Sequence, residues 1–251
     1  MSETSTDKHY WAVVPAAGVG QRMASNTPKQ YLSLLNKPII THTLERLLGH
    51  EKISGVVVAL GDHDEYWSDI HIDSEKPVIR VAGGDERCHS VLNALNELLE
   101  LSKDENYPVQ NNDWVLVHDA ARPCLRHDDI DRLISKVEAH SDGGILALPV
   151  RDTMKRQHAD QTIAQTVDRE GLWHALTPQM FKLEQLQVAI DSAISSGSLI
   201  TDEASAIERK GGKPLLVAGH EDNIKITRPA DLKLAEMYLK AQQQAQQQAK
   251  E

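Results

Sequence analysis

Short apolar strands alternate with helical patterns through the first 150 residues, and this rhythm restricts the chain to few folds. Trp11-Ala12-Val13-Val14 is an apolar run that stops at Pro15, and a glycine-containing loop follows. A helical pattern covers 38 to about 48, and the β-branched run ISGVVVAL covers 53–60. Another strand is predicted at 77–81. Residues 86–101 then repeat Val91, Leu92, Leu95, Leu98 and Leu99 at helical spacing. Strand 114–117, helix 129–139 and strand 144–150 complete the alternation. The strands are apolar on both faces, so both faces must be covered. That predicts a Rossmann-like α/β fold, a mostly parallel twisted sheet with helices on each side. Crossovers of this kind are right-handed. Ligands bind beyond the carboxyl ends of the strands.

The rhythm breaks at about 151–168, where RDTMKRQHADQTIAQTVD is polar and too long for a plain connection. It predicts a projecting β-hairpin arm. Helices are expected next at 182–195 and 202–209, then a strand at 214–218 and a last helix from Pro229. The chain reads as a single domain over 1–251. Its tail at about 241–251, AQQQAQQQAKE, has low complexity and is expected to fray into solvent.

Composition narrows the partners. The 251 residues are 40% apolar with a single Phe, so aliphatic side chains must fill the core. The formal net charge of −10 is the wrong sign for a nucleic-acid surface, although it still allows a local basic pocket. Cys88 and Cys124 form no CxxC pair, which argues against a disulfide framework or a zinc site and fits a reducing cytoplasm. The polar start MSETSTDKHY has no secretory apolar region, and no apolar run is long enough to span a bilayer. The expectation is a cytoplasmic protein with neither nucleic-acid nor membrane partners.

Three segments at predicted strand ends carry the chemistry. The first is PAAGVGQRM, running on to Pro28-Lys29-Gln30. Its glycines, Gly18 and Gly20, let the backbone turn and offer N–H groups to phosphates. Arg22 and Lys29 add the positive charge that would hold a triphosphate and stabilise transfer. Met23 stands where GxGxxG needs its third glycine, and the GK[ST] of a Walker A loop is absent. The plainer alternative is a strand–helix turn with surface charges.

The second segment, Gly83-Gly84-Asp85-Glu86-Arg87-Cys88-His89-Ser90, opens a helix, and helix N-termini bind anions. Asp85 reads equally well as the helix N-cap, and Cys88 as a packing residue. The third is Val117-His118-Asp119-Ala120-Ala121-Arg122-Pro123. A lone strand-end carboxylate, Asp119, suits Mg²⁺ shared with phosphate oxygens. Arg122 is positioned for a substrate phosphate, or else for solvent. His118 is a candidate base, although a packed histidine is the commoner case. A fourth, weaker group is Thr153 in the arm with Arg169, Thr177, Thr201 and Lys225.

The loop PAAGVGQRM with PKQY resembles the nucleotide-binding loop of sugar and polyol nucleotidyltransferases. GGDERCHSV, VHDAARPCL, PVRDTMKR, LWHALTPQ, TDEASA and DNIKITRPADL narrow the resemblance to the 2-C-methyl-D-erythritol 4-phosphate cytidylyltransferase family of the non-mevalonate isoprenoid pathway. It runs from about Trp11 to Leu239. The resemblance implies CTP and the polyol phosphate as substrates, Mg²⁺ as cofactor, and pyrophosphate as by-product. It implies that Arg22 and Lys29 stabilise the transition state and that Lys225 positions the substrate near the α-phosphate. CTP would be held by Ala16, Ala17, Gly18, Gly20, Gly84, Asp85, Ser90 and Ala120, besides Arg22, Lys29 and Lys225. Asp119 would be the metal-side carboxylate. Asp119, Arg122, Thr153, Arg169, Thr177 and Thr201 would lie on the substrate side, with Thr153 and the catalytic Arg169 donated by the arm of a homodimer partner. Two rivals stand beside this reading. One is a cytidylyltransferase for ribitol 5-phosphate or another polyol phosphate. The other is a nucleotide sensor without catalysis, which would be expected to lack Arg22, Lys29 or Asp119.

Overall fold

The computed structural model describes residues 8–18 and 27–248. Its centre is a seven-stranded sheet built from β1 (Tyr10–Pro15), β4 (Ile53–Leu60), β5 (Val78–Ala82), β6 (Trp114–Val117), β7 (Gly144–Pro149), β10 (Trp173–Lys182) and β11 (Leu215–Ala218). The order across the sheet is β11-β7-β10-β6-β1-β4-β5. Every pairing is parallel except those of β10, which runs antiparallel to both β6 and β7.

Alternate residues of β1 serve opposite cores. Tyr10, Ala12 and Val14 pack with α1 (Ile39–Leu48) and α3 (His127–Val137). Trp11 and Val13 pack with α2 (Arg87–Leu101), α4 (Leu183–Ser195) and α5 (Glu203–Arg209). In β6, Trp114 and Leu116 face the first core and Val115 and Val117 the second. This two-residue period, with both faces covered, is why the strand sequences read as unbroken apolar runs. A third, smaller core lies under α6 (Pro229–Gln248), where Ala235 and Leu239 meet Leu34 and Ile39. Leu34 belongs to the small hairpin of β2 (Ser33–Leu34) and β3 (Lys37–Pro38).

The polar insertion forms a separate two-stranded antiparallel sheet, β8 (Met154–Gln157) with β9 (Ile163–Val167). The structure departs from the sequence reading at two places. Strand β10 has no counterpart in that reading, and a proline inside a strand, here Pro178, ordinarily argues against one. The register instead shifts between Ala175 and Gln179, so a bulge absorbs the proline and β10 still pairs on both sides. The tail does not fray over its described part: α6 stays helical to Gln248, and Gln242 is buried.

Chain order makes the site. From β1 the chain moves to β4 and β5 on one side, then returns to β6 on the other side of β1. The carboxyl ends of β1 and β6 therefore flank the point where the strand order reverses, the usual ligand crevice of an open α/β sheet.

Candidate active site

A cavity of about 190 Å³ opens at that crevice. Ala16, Ala17 and Gly18 follow β1, Gly84, Asp85 and Ser90 follow β5, and Asp119 and Ala120 follow β6; all line it, as do Lys29 and Lys225. Close approach of the first loop explains Gly83, and the tight turn into α2 explains Gly84. A Cβ on Gly83 would sit 2.4 Å from the Ala17 Cβ, and one on Gly84 would sit 2.4 Å from the His89 Cβ. Gly83 N–H also donates to Leu60 O at 2.6 Å. Ser90 Oγ accepts from Gly84 N–H at 3.1 Å and so fixes the turn. The first loop is pinned by Gln30, a buried side chain that donates to Ala16 O at 2.7 Å.

Asp85 does not cap α2. Glu86 takes that place in a reciprocal capping box with His89, which leaves Asp85 at the cavity wall. Cys88 packs in the core and burial pushes its thiol up, as a packing role requires.

Asp119 is the electrostatic centre. Its carboxylate meets Lys225 Nζ at 2.9 Å, Arg87 Nε at 3.2 Å and Arg122 Nε at 3.3 Å. Burial alone would raise its pKa, but the charges of Arg87, Lys225 and Arg122 outweigh this and hold it well below the usual carboxylate range. Behind it runs a chain of hydrogen bonds. Asp119 N–H donates to Thr177 Oγ1 at 3.1 Å, Thr177 Oγ1 lies 2.9 Å from His118 Nδ1, and His118 Nε2 lies 3.1 Å from Arg122 O. A carbonyl only accepts, so Nε2 carries the ring proton and Nδ1 accepts from Thr177. His118 is fully buried, and burial lowers its pKa to about 4. It is a packed, neutral histidine and not a base.

The remaining sequence candidates divide. Arg122 and Thr177 are buried and do not line the cavity; Arg122 spends its Nη1 on Asn223 O at 2.7 Å. Arg122 is therefore not the solvated side chain that the plainer reading expects. Thr153, Arg169 and Thr201 are exposed and do not line the cavity within one chain. Gly20 and Arg22 lie outside the described residues. Sequence reasoning missed Gln30, Arg87 and Glu203. Arg87 lines the cavity and reaches Glu203, itself buried, through two bonds of 2.6 and 3.1 Å. Burial works against the Arg87 charge, and Glu203 and then Asp119 more than restore it.

The described residues hold no cluster of three or more His, Cys, Asp or Glu able to bind a metal, and no helix among them is long and apolar enough to cross a membrane. A hard cation here would have Asp119 as its protein ligand and phosphate oxygens for the rest, an arrangement Mg²⁺ commonly accepts.

Comparison with known proteins places these features in one family. The family model for 2-C-methyl-D-erythritol 4-phosphate cytidylyltransferase matches residues 10–241. The chain belongs to this family. The enzyme of that name from Vibrio vulnificus is 57% identical over 228 residues, covering 91% of this chain and 93% of the relative. The one from Tolumonas auensis is 51% identical and covers 93% and 98%. Among solved structures, the Francisella tularensis cytidylyltransferase aligns with a TM-score of 0.77 at 35% identity, over 92% of this chain and all of that one.

Proposed function

We propose that the chain joins the CMP unit of CTP to 2-C-methyl-D-erythritol 4-phosphate, giving 4-diphosphocytidyl-2-C-methyl-D-erythritol and pyrophosphate. The observation that carries the reading is Asp119, flanked by three cationic side chains at the β1–β6 crevice and facing the Gly83-Gly84 turn. The reaction brings two polyanions together, so cationic groups must offset their repulsion. A phosphate oxygen of the polyol substrate attacks the α-phosphorus of CTP, and the bond to the β-phosphate bridge oxygen breaks. The attacking group is already a nucleophile, so none is needed from the protein. The neutral His118 and the raised thiol of Cys88 agree with that.

We assign the cytidine to the backbone of Ala16, Ala17, Gly18 and Gly84, beside Asp85, Ser90 and Ala120. Lys29 faces the triphosphate and Lys225 the α-phosphate; Gly20 and Arg22 are assigned to the triphosphate from the sequence motif alone. Arg122 and Thr177 form the bed beneath Asp119. Mg²⁺, with Asp119 as its protein ligand, would withdraw charge from the phosphate oxygens. The cavity of about 190 Å³ is below the roughly 300–1,000 Å³ usual for such ligands. The polyol phosphate therefore sits at its mouth, where Thr153 and Arg169 of a dimer partner's arm, with Thr201, would close over it. The two unpaired cysteines favour the reducing cytoplasm as the place of reaction.

The test is pyrophosphate release from CTP with 2-C-methyl-D-erythritol 4-phosphate and Mg²⁺, run beside ribitol 5-phosphate. Turnover of the first, much exceeding the second, is expected. Preference for ribitol 5-phosphate, or no pyrophosphate with either, would overturn the assignment.

A further inference from the structure

Arg87 divides its guanidinium between two carboxylates on different elements. Its fork, Nη1 and Nη2, grips both oxygens of Glu203 at 2.6 and 3.1 Å, and only Nε is left for Asp119 Oδ1, at 3.2 Å. Glu203 is 1% exposed, stands at the first turn of α5, and reaches Arg87 across 116 residues of sequence. Bidentate pairing is the strongest contact a guanidinium makes with a carboxylate. Glu203 therefore decides which carboxylate receives it.

We propose that Glu203 is a positioning residue for nucleotide transfer: by occupying the fork of Arg87, it keeps Asp119 from being locked in a bidentate pair and leaves it able to exchange Lys225 for a metal–nucleotide ligand. The inference rests on the reading of Asp119 as the metal-side carboxylate. Lys225 holds Asp119 by a single ammonium on a flexible, partly exposed stem, a contact that is easily exchanged. A forked guanidinium in the same place would not be. Neutralising Glu203 frees that fork, and Asp119 is the carboxylate Arg87 already touches. Groups that orient a metal-binding carboxylate typically change metal affinity by about 10–100-fold when altered.

The experiment measures binding, without the polyol phosphate and so without turnover. Affinity for Mn²⁺–CTP is read by water-proton relaxation enhancement, and affinity for metal-free CTP by calorimetry. The wild-type chain must bind Mn²⁺–CTP; if it does not, the metal reading of Asp119 fails before Glu203 is tested. Glu203→Gln is expected to weaken Mn²⁺–CTP at least about tenfold, with metal-free CTP affinity unchanged. The double variant Arg87→Met with Glu203→Gln removes both charges together, which buried pairs tolerate better than the loss of one partner. It is expected to bind Mn²⁺–CTP more tightly than Glu203→Gln alone, because no fork is left to capture Asp119. Equal losses with and without metal in Glu203→Gln would reduce the pair to a structural tie. A double variant no better than the single one would show that Arg87 is not the intermediary. Either result overturns the proposal.

Discussion

His118 shows how a reactive side chain next to the chemistry is kept out of it. Thr177 occupies Nδ1 and Arg122 O occupies Nε2, and burial lowers the pKa from about 6.5 to about 4. The folded state thus binds fewer protons here than the unfolded chain between those two values. Stability must rise with pH across that window, be fully present above about 6.5, and be lost as pH falls toward 4. One such group accounts for at most roughly 3 kcal/mol. His42, His50 and His127 are also lowered by burial, so the whole protein is expected to weaken in mild acid. His118→Gln isolates the share of this site. Urea midpoints measured from pH 4 to 7 should change less steeply in the variant, by up to one proton's worth of slope; an unchanged slope would contradict the assignment. The sequence alone made His118 and Asp119 visible, since both end a strand. It could not reveal Arg87 and Glu203 as partners. Glu203 reads there as an acidic residue in the first turn of a helix, and its contact with Arg87 exists only once α2 and α5 pack on the same side of the sheet.

At the scale of elements, α6 and β10 show where local patterns mislead. A Gln-rich repeat carries no apolar stripe, so the end of α6 looks like solvent-exposed tail. Its tether is polar: Gln242 donates to Cys124 O at 2.9 Å and to Asp222 Oδ2 at 2.8 Å, and accepts from Arg46 Nη2 at 2.9 Å. Asp222 precedes Asn223, whose side chain donates to Thr177 O and whose carbonyl accepts from Arg122. The helix end therefore steadies the segment that delivers Lys225. Gln242→Ala leaves buried polar groups without partners, which typically costs about 1–3 kcal/mol. Gln244→Ala, on the exposed side, should stay within about 0.5 kcal/mol of wild type. Chemical denaturation of the two variants separates a docked helix from a frayed tail, for which the two changes would be equivalent. In β10 the misleading local signal is Pro178. The central parallel strands β1 and β6, by contrast, are legible because burial on both faces makes them continuous apolar runs.

At the scale of the whole molecule, the arm is the part that a single chain leaves without a purpose. Among the described residues, its strands β8 and β9 pair only with each other, outside the main sheet. Ile163 on the arm is 65% exposed, and Met154, Leu172 and Trp173 are each 37% exposed. A two-stranded hairpin is marginal in water by itself, and its exposed apolar residues need cover. Within one chain, Thr153 and Arg169 do not line the cavity that their proposed role requires them to serve. A two-fold dimer resolves both points, because each arm would gain a surface and each cavity a closing wall. Arm exchange predicts a specific pattern of complementation. Lys29→Ala should cost ~10²–10³ in rate through loss of a charge that stabilises transfer, and Arg169→Ala should also leave a nearly inactive homodimer. When the two chains are co-expressed with different tags and the heterodimer is isolated, one site combines both defects. The other joins an intact Lys29 to an intact donated Arg169, so one working site per dimer is expected. If Arg169 instead served its own chain, both sites of that heterodimer would be damaged and no activity would return. A fully active monomer in sedimentation at assay concentration would exclude arm exchange altogether.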